Sequence, residues 1–130
     1  MVGAAQDDPR PLVLVVEDEV VLCDTVANEL EDAGYRVITS LTGEGGLAVL
    51  QGSDPVELLV TDVRLPGFVD GWRLAEAARS LRPGLPIVYA TGYSLGLTRE
   101  LAASRILTKP YRSSAVIRAF EQLGVVGRPG

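Results

Sequence analysis

The chain contains no histidine. Within this chain that removes any triad built on an imidazole base, and any histidine kinase or histidine phosphotransfer activity. Cysteine occurs once, at Cys23, so there is neither a disulfide framework nor a cysteine zinc cage. That lone thiol reads as a small hydrophobe on a helix near the core. No apolar run reaches the roughly 18 residues of a membrane span. The polar stretch 1–10 has no signal-peptide core, so no membrane contact is expected and the cytoplasm is the expected compartment. Positive charge is also scarce. The net charge of -5 argues against direct nucleic-acid binding, which needs clustered Lys and Arg. What is present, 130 residues with 47% hydrophobic and 22% charged, describes one globular domain able to bury a core.

Apolar runs and breaks alternate along the chain. "PLVLVV" (Pro11–Val16), "RVITS" (Arg36–Ser40), "VELLVTD" (Val56–Asp62), "LPIVYAT" (Leu85–Thr91) and "RILTK" (Arg105–Lys109) read as strands. Between them the period lengthens. Val20, Val21, Leu22, Thr25, Val26 and Leu30 lie near helical spacing, and Gly34 supplies a stop. "GEGGLAVLQGS" reads as a weak, Gly-rich helix. "DGWRLAEAARSLRPG" is a strong one, with Asp70 as N-cap, Trp72 packed at its start and Arg82-Pro83-Gly84 as stop. "LTRELAASR" (Leu97–Arg105) reads as a short helix, and "SSAVIRAFEQLG" as a last helix capped by Ser113 or Ser114. Five strands alternating with five helices imply an α/β fold, a parallel sheet with helices on both faces. The strands are apolar throughout rather than alternating, as central parallel strands are. The expected organisation is a flexible arm at 1–10, one domain at 11–123 and a loose tail at 124–130.

The polar residues at the carboxyl ends of these strands are Glu17 and Asp18, Asp62, Thr91 and Lys109. Open parallel sheets bind ligands at that edge, so these residues should converge. Three clustered carboxylates repel, at a cost of a few kcal/mol per pair at ~4 Å. Lys109 or a divalent cation must offset the repulsion. An oxygen-only donor set suits Mg²⁺. Each residue also has a plain alternative: Asp18 or Asp62 as a cap, Thr91 as filler, Lys109 as a solvated amine. Independent alternatives do not readily place all of them at successive strand ends.

The ordered motifs VVEDE, LLVTDVRLPG, IVYATGYS and ILTKPY resemble the receiver domain of two-component response regulators, over about residues 11–123. The resemblance implies a flavodoxin-like (βα)5 fold, a three-layer α-β-α sandwich with strand order 2-1-3-4-5. Asp62 matches the phospho-acceptor, taking a phosphoryl group from a histidine kinase or histidine phosphotransfer protein. Glu17, Asp18, Asp62 and the backbone carbonyl of Arg64 match the ligands of Mg²⁺ (or Mn²⁺). Thr91 matches the switch hydroxyl and Lys109 the lysine that pairs with the phosphoryl group. The Lys109-Pro110 peptide should be cis. Such a domain is not an enzyme beyond its own phosphorylation and dephosphorylation. The resemblance also implies a dimerisation and partner face through the fourth helix, fifth strand and fifth helix, with Arg99, Arg105, Arg112 and Arg118.

This chain departs from the family pattern in three places. Ile106 stands where the family carries a switch aromatic, as in a subgroup with a Phe-Ala-Thr-Gly signature. "LPGFVDG" is one residue longer than the commonest loop. Arg64 and Tyr93, two positions after Asp62 and Thr91, occupy places that tune phosphoryl lifetime, and Arg64 is expected to contact the phosphoryl group or a nearby acid. The alternative is a degenerate receiver acting as a binding module without phosphate, which the complete residue set disfavours. A Mg²⁺-dependent hydrolase would need an acid where Arg64 stands, and a flavin binder would need a Ser/Thr/Gly-rich loop after the first strand. A stand-alone regulator, a relay intermediate and a domain of a hybrid kinase all remain open.

Overall fold

A computed structural model describes residues 8–92 and 103–129. The elements run β1 (Leu12–Val16), α1 (Val20–Asp32), β2 (Arg36–Ser40), α2 (Gly43–Gln51), β3 (Leu58–Asp62), α3 (Gly71–Leu81), β4 (Ile87–Thr91), β5 (Ser104–Thr108) and α4 (Ser113–Gln122). The strands form one parallel sheet in the order β2-β1-β3-β4-β5. Every residue of β1, β3 and β4 is buried, whereas the edge strands β2 and β5 are only partly covered. The unbroken apolar runs follow from this, because a central strand faces a helix layer on each side.

The pleat divides the core in two. Leu12, Leu14 and Val16 point with Leu59, Ile87 and Tyr89 toward Leu50 of α2 and Leu74, Ala75 and Ala78 of α3. Val13 and Val15 point with Leu58, Val60 and Val88 toward Cys23, Val26 and Leu30 of α1 and Val116 and Phe120 of α4. The result is the expected three-layer sandwich. Cys23 is buried as a core residue. The Gly-rich sequence of α2 has a packing reason: a Cβ on Gly46 would stand 2.8 Å from Val16 Cγ2, so glycine lets this helix lie close on the sheet.

Several local expectations need correction. In α1 the buried stripe is Cys23, Val26, Ala27 and Leu30, while Val20 and Val21 are 53% and 76% exposed. Val20 keeps the phase of the stripe but stands in the first turn, and Val21 is out of phase. Asp18 does not cap this helix. The N-cap position is Glu19, with no side-chain bond, and the Glu19 amide is satisfied instead by Glu17 Oε2 at 3.0 Å. Neither Ser113 nor Ser114 caps α4, because the helix starts one residue earlier. Arg112 is the N-cap, its carbonyl accepting from Ala115 and Val116. Asp70 does cap α3, accepting from the Arg73 amide at 2.9 Å. Strand β5 starts at Ser104, so Arg105 belongs to the strand; most of the helix predicted over Leu97–Arg105 lies outside the described residues, as do Tyr93 and Arg99. The segment after α4 is held rather than loose. Val125 donates to Phe120 O at 2.9 Å and Arg128 to Gly34 O at 2.9 Å. Tyr35 Oη donates to Val125 O at 3.1 Å.

Candidate functional site

The carboxyl edge of the sheet brings together Glu17, Asp18, Asp62, Thr91 and Lys109. Glu17 follows β1, its amide bonded to Ser40 O at 3.0 Å. Asp62 is the last residue of β3 and the next amide, Val63, donates to Ala90 O at 2.9 Å. Thr91 ends β4, and its carbonyl accepts the Lys109 amide at 2.7 Å. The Lys109-Pro110 peptide is cis. The backbone ladder thus delivers side chains from four separate segments to one edge.

Asp62 is 4% exposed and Glu17 2%. Lys109 Nζ donates to Glu17 Oε1 at 2.7 Å and stands 2.8 Å from Asp62 Oδ1. The second contact is an ion pair off hydrogen-bond geometry, so both Asp62 oxygens remain buried without a hydrogen-bond partner. One cation therefore serves two buried carboxylates. Burial first, then the neighbouring Glu17, push Asp62 up to about 8, with Lys109 only partly opposing. For Glu17 burial also acts upward, but the neighbouring Asp62 carboxyl, the Lys109 ammonium and the Glu19 amide together win and hold it below its ordinary value. The two acids titrate as a pair, whose second negative charge has no adequate partner. Lys109 is loaded the other way. Burial lowers its pKa, and the carboxylates of Asp62 and Glu17 more than reverse this.

Asp18 is exposed and completes a triangle. One oxygen each from Glu17, Asp18 and Asp62 lies within 4.8 Å of the others. Three carboxylates, two orphaned oxygens and no imidazole form a donor set that fits a hard divalent cation. Arg64 is exposed and lines a groove of about 660 Å³ with Val63, Phe68, Trp72, Arg73 and Thr91. Trp72 sits in the first turn of α3 and its ring meets Tyr89, 4.7 Å between centroids.

Two features escaped the sequence reading. Tyr111 lies within electrostatic range of the site: burial first, then the charges of Glu17 and Asp62, push its phenol up to about 12. Its place directly after the cis Lys109-Pro110 unit was the available signal. Lys109 is also the chain's single lysine among twelve basic residues, a contrast that marks it as unlike a solvated surface charge.

A family model described as "Response regulator receiver domain" matches residues 13–121. The crystal structure of a response regulator receiver protein from Sinorhizobium medicae WSM419 is 32% identical, covers 88% of this chain and 94% of that one, and has a TM-score of 0.82. The response regulator receiver protein CpdR of Brucella abortus is 30% identical over 115 residues, 85% of this chain and 94% of its own length. Sensor histidine kinase RcsC of Escherichia coli K12 is 30% identical over 97 residues, 75% of this chain and 10% of its own length. The chain spans 25–46% of the length of the first curated relatives it matches. No helix among the described residues is long and apolar enough to cross a membrane. With the parallel order 2-1-3-4-5, the acidic edge and a family match over most of its length, the chain belongs to the response regulator receiver family, as a phospho-accepting signalling domain of two-component systems.

Proposed function

We propose that Asp62 is the phospho-acceptor, and that Glu17, Asp18, Asp62 and the Arg64 carbonyl hold Mg²⁺, or Mn²⁺, beside it. The observation that carries this is the pair of buried Asp62 oxygens without hydrogen bonds, one of them, Oδ1, 2.8 Å from the Lys109 ammonium. A carboxylate kept for structure would have its oxygens satisfied. Once ionised, as a bound divalent cation would favour, the group is a desolvated nucleophile at a strand end.

Asp62 Oδ attacks the phosphorus of a phosphohistidine on a kinase or phosphotransfer partner. The P–N bond breaks, its electron pair returns to the imidazole, and an aspartyl phosphate forms. Lys109 turns from the free carboxylate to the phosphoryl oxygens, remaining paired with Glu17. Bound Mg²⁺ supplies neutralisation of charge on the transferring group. Thr91, at the end of the neighbouring strand, donates its hydroxyl to the new phosphoryl oxygens. Beyond catalysing its own phosphorylation and dephosphorylation, the domain transmits a signal, working in the cytoplasm where phosphohistidine donors act. The face of β5 and α4, with Arg105, Arg112 and Arg118, is the proposed surface for dimer formation.

The test is base- and hydroxylamine-labile labelling of the full chain by a phosphorylated small-molecule donor such as acetyl phosphate with Mg²⁺. Labelling is expected in the parent and absent in Asp62→Asn. A parent that stays unlabelled, and whose Trp72 fluorescence ignores Mg²⁺ and a fluoride-based phosphate mimic, would mark a degenerate module instead.

A further inference from the structure

The loop that leaves Asp62 is held by a side chain from another helix. Val63 is fixed at both its polar atoms, its amide to Ala90 O and its carbonyl by the Gly71 amide, each 2.9 Å. Further on, Phe68 is fixed the same way. Its amide donates to Glu44 Oε2 at 3.2 Å, and its carbonyl accepts from Arg73 Nη1 at 3.3 Å. Glu44 belongs to the first turn of α2. Between the two holds the chain turns at Gly67, φ +88°, where a Cβ would come 2.6 Å from Glu44 Oε2. The carboxylate fills the space that glycine leaves open. The contact is reinforced by Gly43, whose absent Cβ would stand 2.0 Å from Val69 O, so the start of α2 rests directly on the loop.

Packing alone does not do this work. Leu65 and Val69 turn onto the core, whereas the Phe68 ring is 87% exposed. Packed side chains fix where a loop runs. The direction of each carbonyl depends on the rotation of its peptide plane, which polar holds at either end restrict. Arg64, whose carbonyl is the proposed fourth protein donor to the cation, lies within the span so restricted.

We propose that Glu44 is a positioning residue for the phosphoryl site. By holding the Phe68 amide against Gly67 it sets the orientation of the Arg64 carbonyl, and through it the affinity for the divalent cation. This rests on the site reading above. Glu44 stands outside the triangle of Glu17, Asp18 and Asp62 and acts through the loop, as outer partners of metal ligands do.

Mg²⁺ titration calorimetry on the full chain, with hydrogen exchange of the Phe68 amide in metal-free protein, tests this. Glu44→Ala is expected to weaken Mg²⁺ binding roughly tenfold and speed Phe68 exchange, with the urea midpoint unchanged. Glu44→Gln keeps an acceptor oxygen and should restore both, which separates positioning from loss of a negative charge. Gly67→Ala, which displaces the carboxylate, should reproduce the weakening, and the double variant should cost no more than the worse single. Parent-like affinity in Glu44→Ala, or equal losses in Glu44→Gln and Glu44→Ala, would overturn the assignment while leaving the site reading intact. A parent that binds no Mg²⁺ and forms no acyl phosphate would overturn both.

Discussion

The two edges of the sheet use charge in opposite ways. At the amino edge several charged groups satisfy backbone carbonyls and amides. Arg79 donates to Leu85 O, Ala103 O and Ser104 Oγ at 2.9–3.1 Å. Arg82 donates to the Asp54 and Leu50 carbonyls and so covers the end of α2. Glu57 accepts the Leu12 amide and Arg36 donates to Arg10 O. At the carboxyl edge, three acids face one another with a single lysine between two of them. The first arrangement stabilises the fold. The second is costly to fold and is relieved only by added positive charge or by chemistry. A sheet that binds ligands at one edge leaves the other free for stability alone, and the charges are sorted accordingly.

Breaking that sorting should give effects of descending size. Lys109→Met leaves Glu17 and Asp62 buried without their cation, and should lower metal-free stability by about 2–4 kcal/mol in urea denaturation. Saturating Mg²⁺ should recover much of the loss. Arg79→Ala should cost about 2 kcal/mol, since three acceptors lose their donor. Unlike the lysine variant, it should leave Mg²⁺ affinity at the parent value; a change there would show that the two edges are not independent.

Asp62→Asn should do the reverse of both and stabilise the metal-free chain. Burial raises the Asp62 pKa from 3.8 to about 8, so the folded state holds the proton more firmly than the unfolded one. Stability of the parent therefore falls as pH rises through that window. The gain from Asn should be near zero around pH 4 and grow to about 1–3 kcal/mol by pH 8. The opposite shift of Glu17 trims it, and urea midpoints across pH will read the slope. Smallest in energy is Arg64→Asn, which should leave stability untouched but change the lifetime of the aspartyl phosphate severalfold. Equal dephosphorylation rates would remove Arg64 from the chemistry.

Much of this molecule was legible in its sequence. Unbroken apolar strands can only be central strands covered on both faces, so the runs at Leu12–Val16 and Leu58–Asp62 fixed a parallel sheet, and a parallel sheet fixed which edge binds. The carboxylates, Thr91 and Lys109 then followed from their places at strand ends, and Asp70 followed from its local hydrogen bond to α3. The errors were of a different kind. Helical spacing groups Val20 and Val21 with Val26 and Leu30 but does not reveal where a helix outruns the core, and both valines are exposed. A serine at a helix start does not reveal that Arg112 already closes the turn. The tertiary structure alone decided what depends on distant partners: that Tyr35 and Gly34 hold the segment after α4, that one ammonium lies between two buried acids, and that Glu44 reaches across from α2 to the loop beside Asp62. Local pattern encodes the type and order of the elements and which strands are buried. Only the packed chain determines which unsatisfied groups are brought face to face, because that depends on distances between segments that the sequence keeps far apart.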